Sequence, residues 1–141
     1  TPLDQPDQIA WDGPAATVVS HHGHAPGHSA VFLADTGTLI AGDMCSDIEF
    51  PLLDLDRPDP VDDYLAALEK FAALPVELVI PGHGAVGDGA EFRRRIELDR
   101  AYLKNLRRGP ELRDPRPIAD WLIAEHENQA AWVRNTAHGG S

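Results

Sequence analysis

The segment His21-His22-Gly23-His24-Ala25-Pro26-Gly27-His28 decides how this sequence is read. Four imidazoles stand within eight residues, and two glycines and a proline among them forbid regular structure, so the segment is a loop. It follows a short apolar stretch, residues 16–19, that reads as a strand. Downstream, residues 30–34 and 38–41 are apolar runs around Asp35-Thr36-Gly37, the pattern of a β-hairpin. Because the runs are continuously apolar, both strands are expected to be buried on both faces. The second run stops at Gly42-Asp43, and a further short strand over 76–80 is broken by Pro81-Gly82-His83-Gly84. Three strand ends thus each present a good donor, and strand-end loops gathered on one sheet edge are where α/β proteins build their sites. Imidazoles beside a carboxylate suit a first-row metal ion.

Outward from these loops the chain organises simply. Residues 1–8 form an irregular Pro/Asp/Gln-rich arm, and residues 8–11 read as a short strand closed by Asp12-Gly13. Residues 44–60 carry acidic side chains and three prolines without periodicity, so they form a long irregular loop lying over the strand ends. Val61, Tyr64, Leu65, Leu68, Phe71 and Ala72 recur at helical spacing behind Pro60, and Asp62-Asp63 complement the helix dipole. A helix is expected over 90–107, with Phe92, Ile96, Leu103 and Leu106 on one side and Arg93, Arg94, Arg95, Arg100 and Arg108 mostly elsewhere. Gly109-Pro110 stops it. Residues 118–133 read as one or two more helices anchored by Trp121, Leu122 and Trp132, and residues 137–141 as a tail. The expected organisation is one domain or half-domain: a core of strands, loops and one helix over 9–84, then a helical part over 90–136.

Composition narrows the function classes. The 141 residues suffice for one domain with a real core, and 43% hydrophobic with 25% charged residues is a soluble globular composition. A formal charge of −11 repels phosphate backbones and anionic headgroups, so neither nucleic acid nor a membrane surface is expected as partner. No apolar run approaches the ~20 residues a spanning helix needs. Cys45 is the lone cysteine, which excludes an intrachain disulfide and makes the cytoplasm the expected compartment. The chain begins at Thr1 and its single methionine is Met44, so something upstream is expected to have been removed.

In order and spacing, the series from His21 to Gly84 resembles the second half of the metallo-β-lactamase superfamily. That family shows Thr-Pro-Gly-His-Thr-Pro-Gly-His/Ser before a strand, a hairpin ending in Gly-Asp, a helix, a strand and Pro-Gly-His-Gly. Here His21-His22 replaces the family's first Thr-Pro. The resemblance implies metal-ligand roles for His24, Asp43 and His83, with Asp43 the catalytic, metal-bridging carboxylate. It implies an α/β (α+β) fold: the C-terminal half of an αββα sandwich, one mixed sheet with helices on one face. The family's His-x-His-x-Asp-His segment is absent from the 141 residues. The parent is accordingly expected to be a hydrolase of small ester, thioester, lactone or lactam substrates using two Zn²⁺ ions, or Mn²⁺ or Fe²⁺, with weak or partial occupancy in this chain. The exposed sheet face is expected to be covered by the missing N-terminal half or by a second copy.

Several residues carry plainer readings. His28 and His22 are weaker ligand candidates, and His21 and His22 are expected as exposed loop histidines. His126 is expected at a core edge or surface, His138 in the tail, and Cys45 as a small side chain packed near the site. Two other functions fit the same residues: a binding or scaffold domain without a working metal site, or a structural single-metal site built from His22, His24, His28 and a carboxylate.

Overall fold

The computed structural model of the chain describes residues 13, 15–24 and 28–139. The expected strand over 8–11 and the irregular arm lie outside them. Five strands and three helices follow in the order β1 (Ala16–Ser20), β2 (Ser29–Leu33), β3 (Thr38–Gly42), α1 (Pro60–Ala72), β4 (Leu78–Pro81), β5 (Gly87–Asp88), α2 (Gly89–Arg108) and α3 (Asp120–Gly139). The strands form one mixed sheet in sequence order, antiparallel except for the parallel β3–β4 pair. That parallel pair needs a crossover, which the long loop and α1 supply.

Register separates the two faces. Thr17, Phe32, Leu39 and Val79 stand opposite one another on four adjacent strands, and Phe32, Leu39 and Val79 are buried in the core with residues of all three helices. Val18, Val31, Ile40 and Ile80 form the next row, on the opposite face, where Ile40 is 41% exposed. The expectation that the hairpin strands are buried on both faces is therefore corrected. Apolar residues line both faces, but the helices cover one alone.

Each helix buries an apolar stripe. α1 starts with Pro60 in its first turn and turns Val61, Tyr64, Leu68 and Phe71 inward. In α2 the Asp88 carboxylate caps the start by accepting from the Glu91 N–H at 2.8 Å, and Phe92, Ile96, Leu103 and Leu106 pack inward. Arg95 shares that inward face and is 1% exposed, which corrects its placement away from the apolar side. α3 is one helix that continues to Gly139, where the sequence reading put a tail. Leu122 anchors it, whereas Trp121 is 52% exposed and is not the expected anchor. The two-residue β5 carries no apolar pattern and escapes sequence reading.

Candidate metal centre

The donors at the strand ends are held by backbone geometry that glycine makes possible. Gly42, at φ 64°, turns the chain out of β3, and a Cβ there would come 2.6 Å from the His28 ring. At the end of β4, the Gly82 N–H donates to the Gly42 carbonyl, and a Cβ on Gly82 would come 3.0 Å from an Asp43 carboxylate oxygen. The two ligand loops can therefore approach this closely only with glycine in those places.

His24 and Asp43 are brought together: His24 Nε2 lies 3.4 Å from Asp43 Oδ2. The other ring nitrogen, Nδ1, lies 3.1 Å from the Leu52 carbonyl oxygen. A carbonyl only accepts, so Nδ1 carries the proton and donates it. An unprotonated Nε2 would face the carboxylate as a second acceptor, and the two could then hold a cation between them, whereas a proton on Nε2 would make a direct ion pair with Asp43. Two donors on one tetrahedral zinc-type ion, with bonds of ~2.0–2.2 Å, are separated by about this distance. Histidine ligands characteristically fix their second nitrogen on a carbonyl in this way.

His83 is exposed and turned toward Glu49, with Nδ1 3.4 Å from Oε2. Sequence reading did not single out Glu49, since nothing in a loop without periodicity marks which acid turns inward. Among the described residues, no three His, Cys, Asp or Glu side chains converge into a complete ligand set. His24 and Asp43 meet; His83 stands apart on the neighbouring loop.

The other loop histidines behave differently from one another. His22 is exposed as expected, but His21 is 4% exposed, packed edge-on against Phe71 and His28. The Gly23 N–H donates to its Nδ1 at 3.0 Å, which leaves the ring proton on Nε2, and that atom has no partner. Burial pushes the His21 pKa down to about 4, with repulsion from His28, Lys70, His22 and His24 adding to it. The His28 ring sits 5.4 Å from that of His24; its pKa is lowered by burial and by His24, against the pull of Asp43.

Behind the donors lies a frame of buried polar side chains. Arg95 Nη1 donates both to the Cys45 carbonyl at 3.1 Å and to the Ala85 carbonyl at 2.8 Å. Those carbonyls stand two residues beyond Asp43 and His83, so one guanidinium ties the Asp43 loop and the His83 loop together. Cys45 itself is buried, as expected, and holds a positive φ of 61°. Burial pushes its thiol well above the ordinary range, which leaves it inert. Arg116 Nη1 donates to the Ser46 and Glu49 carbonyls and to Asp99 at 2.6 Å, while Nη2 holds Asp114 at 2.6 Å. Gln129, on α3, accepts from the Leu53 N–H and donates to the Pro51 carbonyl. It thereby grips Leu52, the residue that orients His24. His126 is buried and structural, bonded to Tyr102 and the Pro110 carbonyl.

A mixed sheet covered by helices on one side, with imidazole and carboxylate donors at its strand ends, is an α/β architecture of the metallo-hydrolase type. Residues 1–83 match the metallo-beta-lactamase superfamily, and the chain belongs to it. No curated protein matches the chain. Among solved structures it is similar to a beta-lactamase domain protein from Burkholderia ambifaria, with 20% identity, a TM-score of 0.65, and 98% of this chain against 47% of that one covered. It is similar to a metallo-beta-lactamase family protein from Thermus thermophilus, with 22% identity, a TM-score of 0.61, and 99% and 49% covered. A third likeness, to a stereoselective inverting sec-alkylsulfatase from Pseudomonas sp., has 15% identity, a TM-score of 0.68, and 94% and 26% covered. At these identities the likeness is one of fold, and the chain spans about half the length of the first two structures. A further structure of similar fold, a chemotaxis sensor with 19% identity, a TM-score of 0.50, and 65% and 49% covered, is described with a peroxy diiron species.

Among the described residues, no helix is long and apolar enough to cross a membrane.

Proposed function

We propose that this chain contributes His24, Asp43 and His83 to the metal centre of a hydrolase that cleaves small, uncharged ester, thioester, lactone or lactam substrates. The observation that carries the reading is the His24–Asp43 pair. A ring locked on Leu52 presents Nε2 to a carboxylate 3.4 Å away, an arrangement that can hold a cation. Asp43 would hold a zinc-type ion together with His24, and His83 would serve as a further donor. When bound, a zinc-type ion acidifies a water to a pKa near ~7 and polarises a carbonyl oxygen.

The chain's own residues do the rest. The Leu52 carbonyl keeps His24 in the tautomer that leaves Nε2 free to bind. Gly42 and Gly82 let the Asp43 loop and the His83 loop meet, and Arg95 holds the two in register. Glu49 accepts from His83 Nδ1 when that nitrogen carries the proton, which would leave the other ring nitrogen free as donor atom. The negative balance of the chain favours neutral over polyanionic substrates.

Three protein donors are fewer than two ions need, and catalytic zinc usually keeps three for itself. The remaining donors are proposed to come from the other half of the sandwich, packed on the bare face of the sheet. That this chain spans 47–49% of two structures of the same fold supports this. Metal analysis after dialysis, with zinc as the probe, tests the reading. The expected result is about one equivalent or less on this chain, lost in His24→Ala and in Asp43→Asn. Zinc content indifferent to both substitutions overturns it.

A further inference from the structure

Beside the centre lies a recess of about 350 Å³, lined by Ile48, Glu49, Pro117, Ile118, Trp121 and Leu122 among others. Two of its walls are large apolar side chains left open, Ile48 at 44% and Trp121 at 52% exposure. Solitary exposed apolar residues are ordinary, but two from separate elements facing one hollow form a place for a ligand. Glu49 is common to both features: it lines the recess, and its carboxylate reaches His83.

The hollow is also built rather than incidental. Arg116 donates to the Ser46 and Glu49 carbonyls at 3.2 and 2.9 Å, which fixes the wall that holds Ile48 and Glu49. Pro117, the next residue in the chain, begins the opposite wall. Buried ion pairs to Asp99 and Asp114 hold the guanidinium itself. Both walls therefore hang on one buried side chain, and the shape exists before any ligand arrives.

The lining holds no cation and one carboxylate, so an anionic group is unwelcome there and an uncharged apolar one is favoured. We propose that this recess takes the neutral apolar acyl or alkyl group of the substrate, about the size of a short alkyl chain or a single aromatic ring. The inference rests on the hydrolase reading for its location and makes that reading specific: the preferred substrates are hydrophobic esters or thioesters rather than charged or sugar-like ones.

Matched neutral and anionic probes test it on the ¹⁵N-labelled chain: 1-hexanol against hexanoate, and benzyl alcohol against benzoate. The expected result is that the neutral probes shift the Ile48 amide and the Trp121 indole N–H while the anions do not, with the shifts lost in Trp121→Ser and Ile48→Asn. Both side chains are exposed, so these variants keep the fold. No shift at either residue, or equal shifts by the anions, overturns the proposal. Hydrolysis of p-nitrophenyl acetate, butyrate and hexanoate by the zinc-loaded protein then separates it from the reading on which it rests. A preference for hexanoate over acetate of about tenfold or more in kcat/KM, flattened in Trp121→Ser, supports the recess. Esters cleaved without a length preference overturn the recess and leave the hydrolase standing. Probe binding at the two residues in a chain whose zinc content is indifferent to His24→Ala and Asp43→Asn supports the recess and removes the hydrolase.

Discussion

At the scale of single residues, the buried His21 ring makes stability depend on pH. Its pKa lies at about 4 in the folded chain, below the ordinary 6.5, because burial disfavours the charged form. Between these values the unfolded chain binds the extra proton, so stability is complete above pH 6.5 and is lost as the pH falls toward 4. The loss amounts to about 3 kcal/mol, the free-energy equivalent of that shift. Burial raises the Asp99 carboxyl to about 7 and works the other way in this window. The test is therefore the stability of the wild type relative to His21→Phe in thermal unfolding from pH 7 to pH 4, which should fall toward the acid end. An unchanged slope in the variant would assign the acid sensitivity elsewhere.

Arg95 gives a second test at this scale. Replacing it with methionine leaves the Cys45 and Ala85 carbonyls without this donor and takes from the half-buried Glu91 one of its two arginine partners, the other being Arg94. Leaving buried acceptors unmatched costs about 1–3 kcal/mol, so the denaturation midpoint should fall. Arg95→Lys keeps the charge but, with one terminal nitrogen, cannot serve the two loop carbonyls and Glu91 in the same geometry, and it should retain part of the stability while still weakening zinc binding. Equal zinc affinity in wild type and Arg95→Lys would show that the tie between the loops does not set the spacing of Asp43 and His83. None of this was legible in the sequence. Arg95 sits inside the run Arg93-Arg94-Arg95, and composition alone makes such a run look like a solvated face. Only the helical phase relative to Phe92 and Ile96 separates it from its neighbours, and Glu91 one turn earlier, with which it pairs, is the clue that phase offers.

At the scale of elements, α3 acts on the site from a distance. Gln129 brackets Leu52 through the Leu53 N–H and the Pro51 carbonyl, and the Leu52 carbonyl in turn fixes the His24 tautomer. Gln129→Leu removes both bonds and leaves a buried N–H and C=O unmatched, at a cost of about 1–3 kcal/mol. The sharper readout is the ring itself. ¹⁵N shifts of His24 should report a protonated Nδ1 in the wild type and a mixture of tautomers in Gln129→Leu; a pure Nδ1–H form in the variant would sever α3 from the centre. The elements themselves were largely readable. The hairpin followed from two apolar runs around a turn, α1 from its spacing behind Pro60, and α2 from its stripe. What sequence could not supply was which loop carbonyl would meet His24, because a contact 28 residues away depends on how an aperiodic loop is pinned. Trp121 misled for a related reason: a large aromatic on a helix suggests an anchor, yet its neighbour Leu122 occupies the inward phase.

At the scale of the whole molecule, the uncovered face of the sheet controls behaviour in solution. Val18, Val31, Ile40 and Ile80 stand side by side across β1 to β4, with Leu33 and Leu78 paired through Thr38 in the next row on the same face. Core formation uses the other face, so folding leaves Ile40 exposed and Val18, Val31, Ile80, Leu33 and Leu78 only partly buried. A continuous apolar sheet face of this kind drives association at roughly 25 cal/mol for each Å² it buries. The chain by itself should therefore sediment and scatter light as a dimer or larger species at micromolar concentration. Ile40→Lys places a charge in the middle of the row, where Ile40 is 41% exposed among the described residues, and should shift the population toward monomer while leaving the helical core intact. Circular dichroism serves to confirm the retained fold. Should Ile40→Lys remain as associated as the wild type, the contact must use another surface. A monodisperse wild-type monomer would mean that this face is stable in water without a partner sheet. If the variant becomes monomeric and still takes up zinc at His24 and Asp43, covering the sheet and building the half-centre are independent tasks. The donors would then be set by the loops and by the buried Arg95, Arg116 and Gln129 behind them, before any second half arrives.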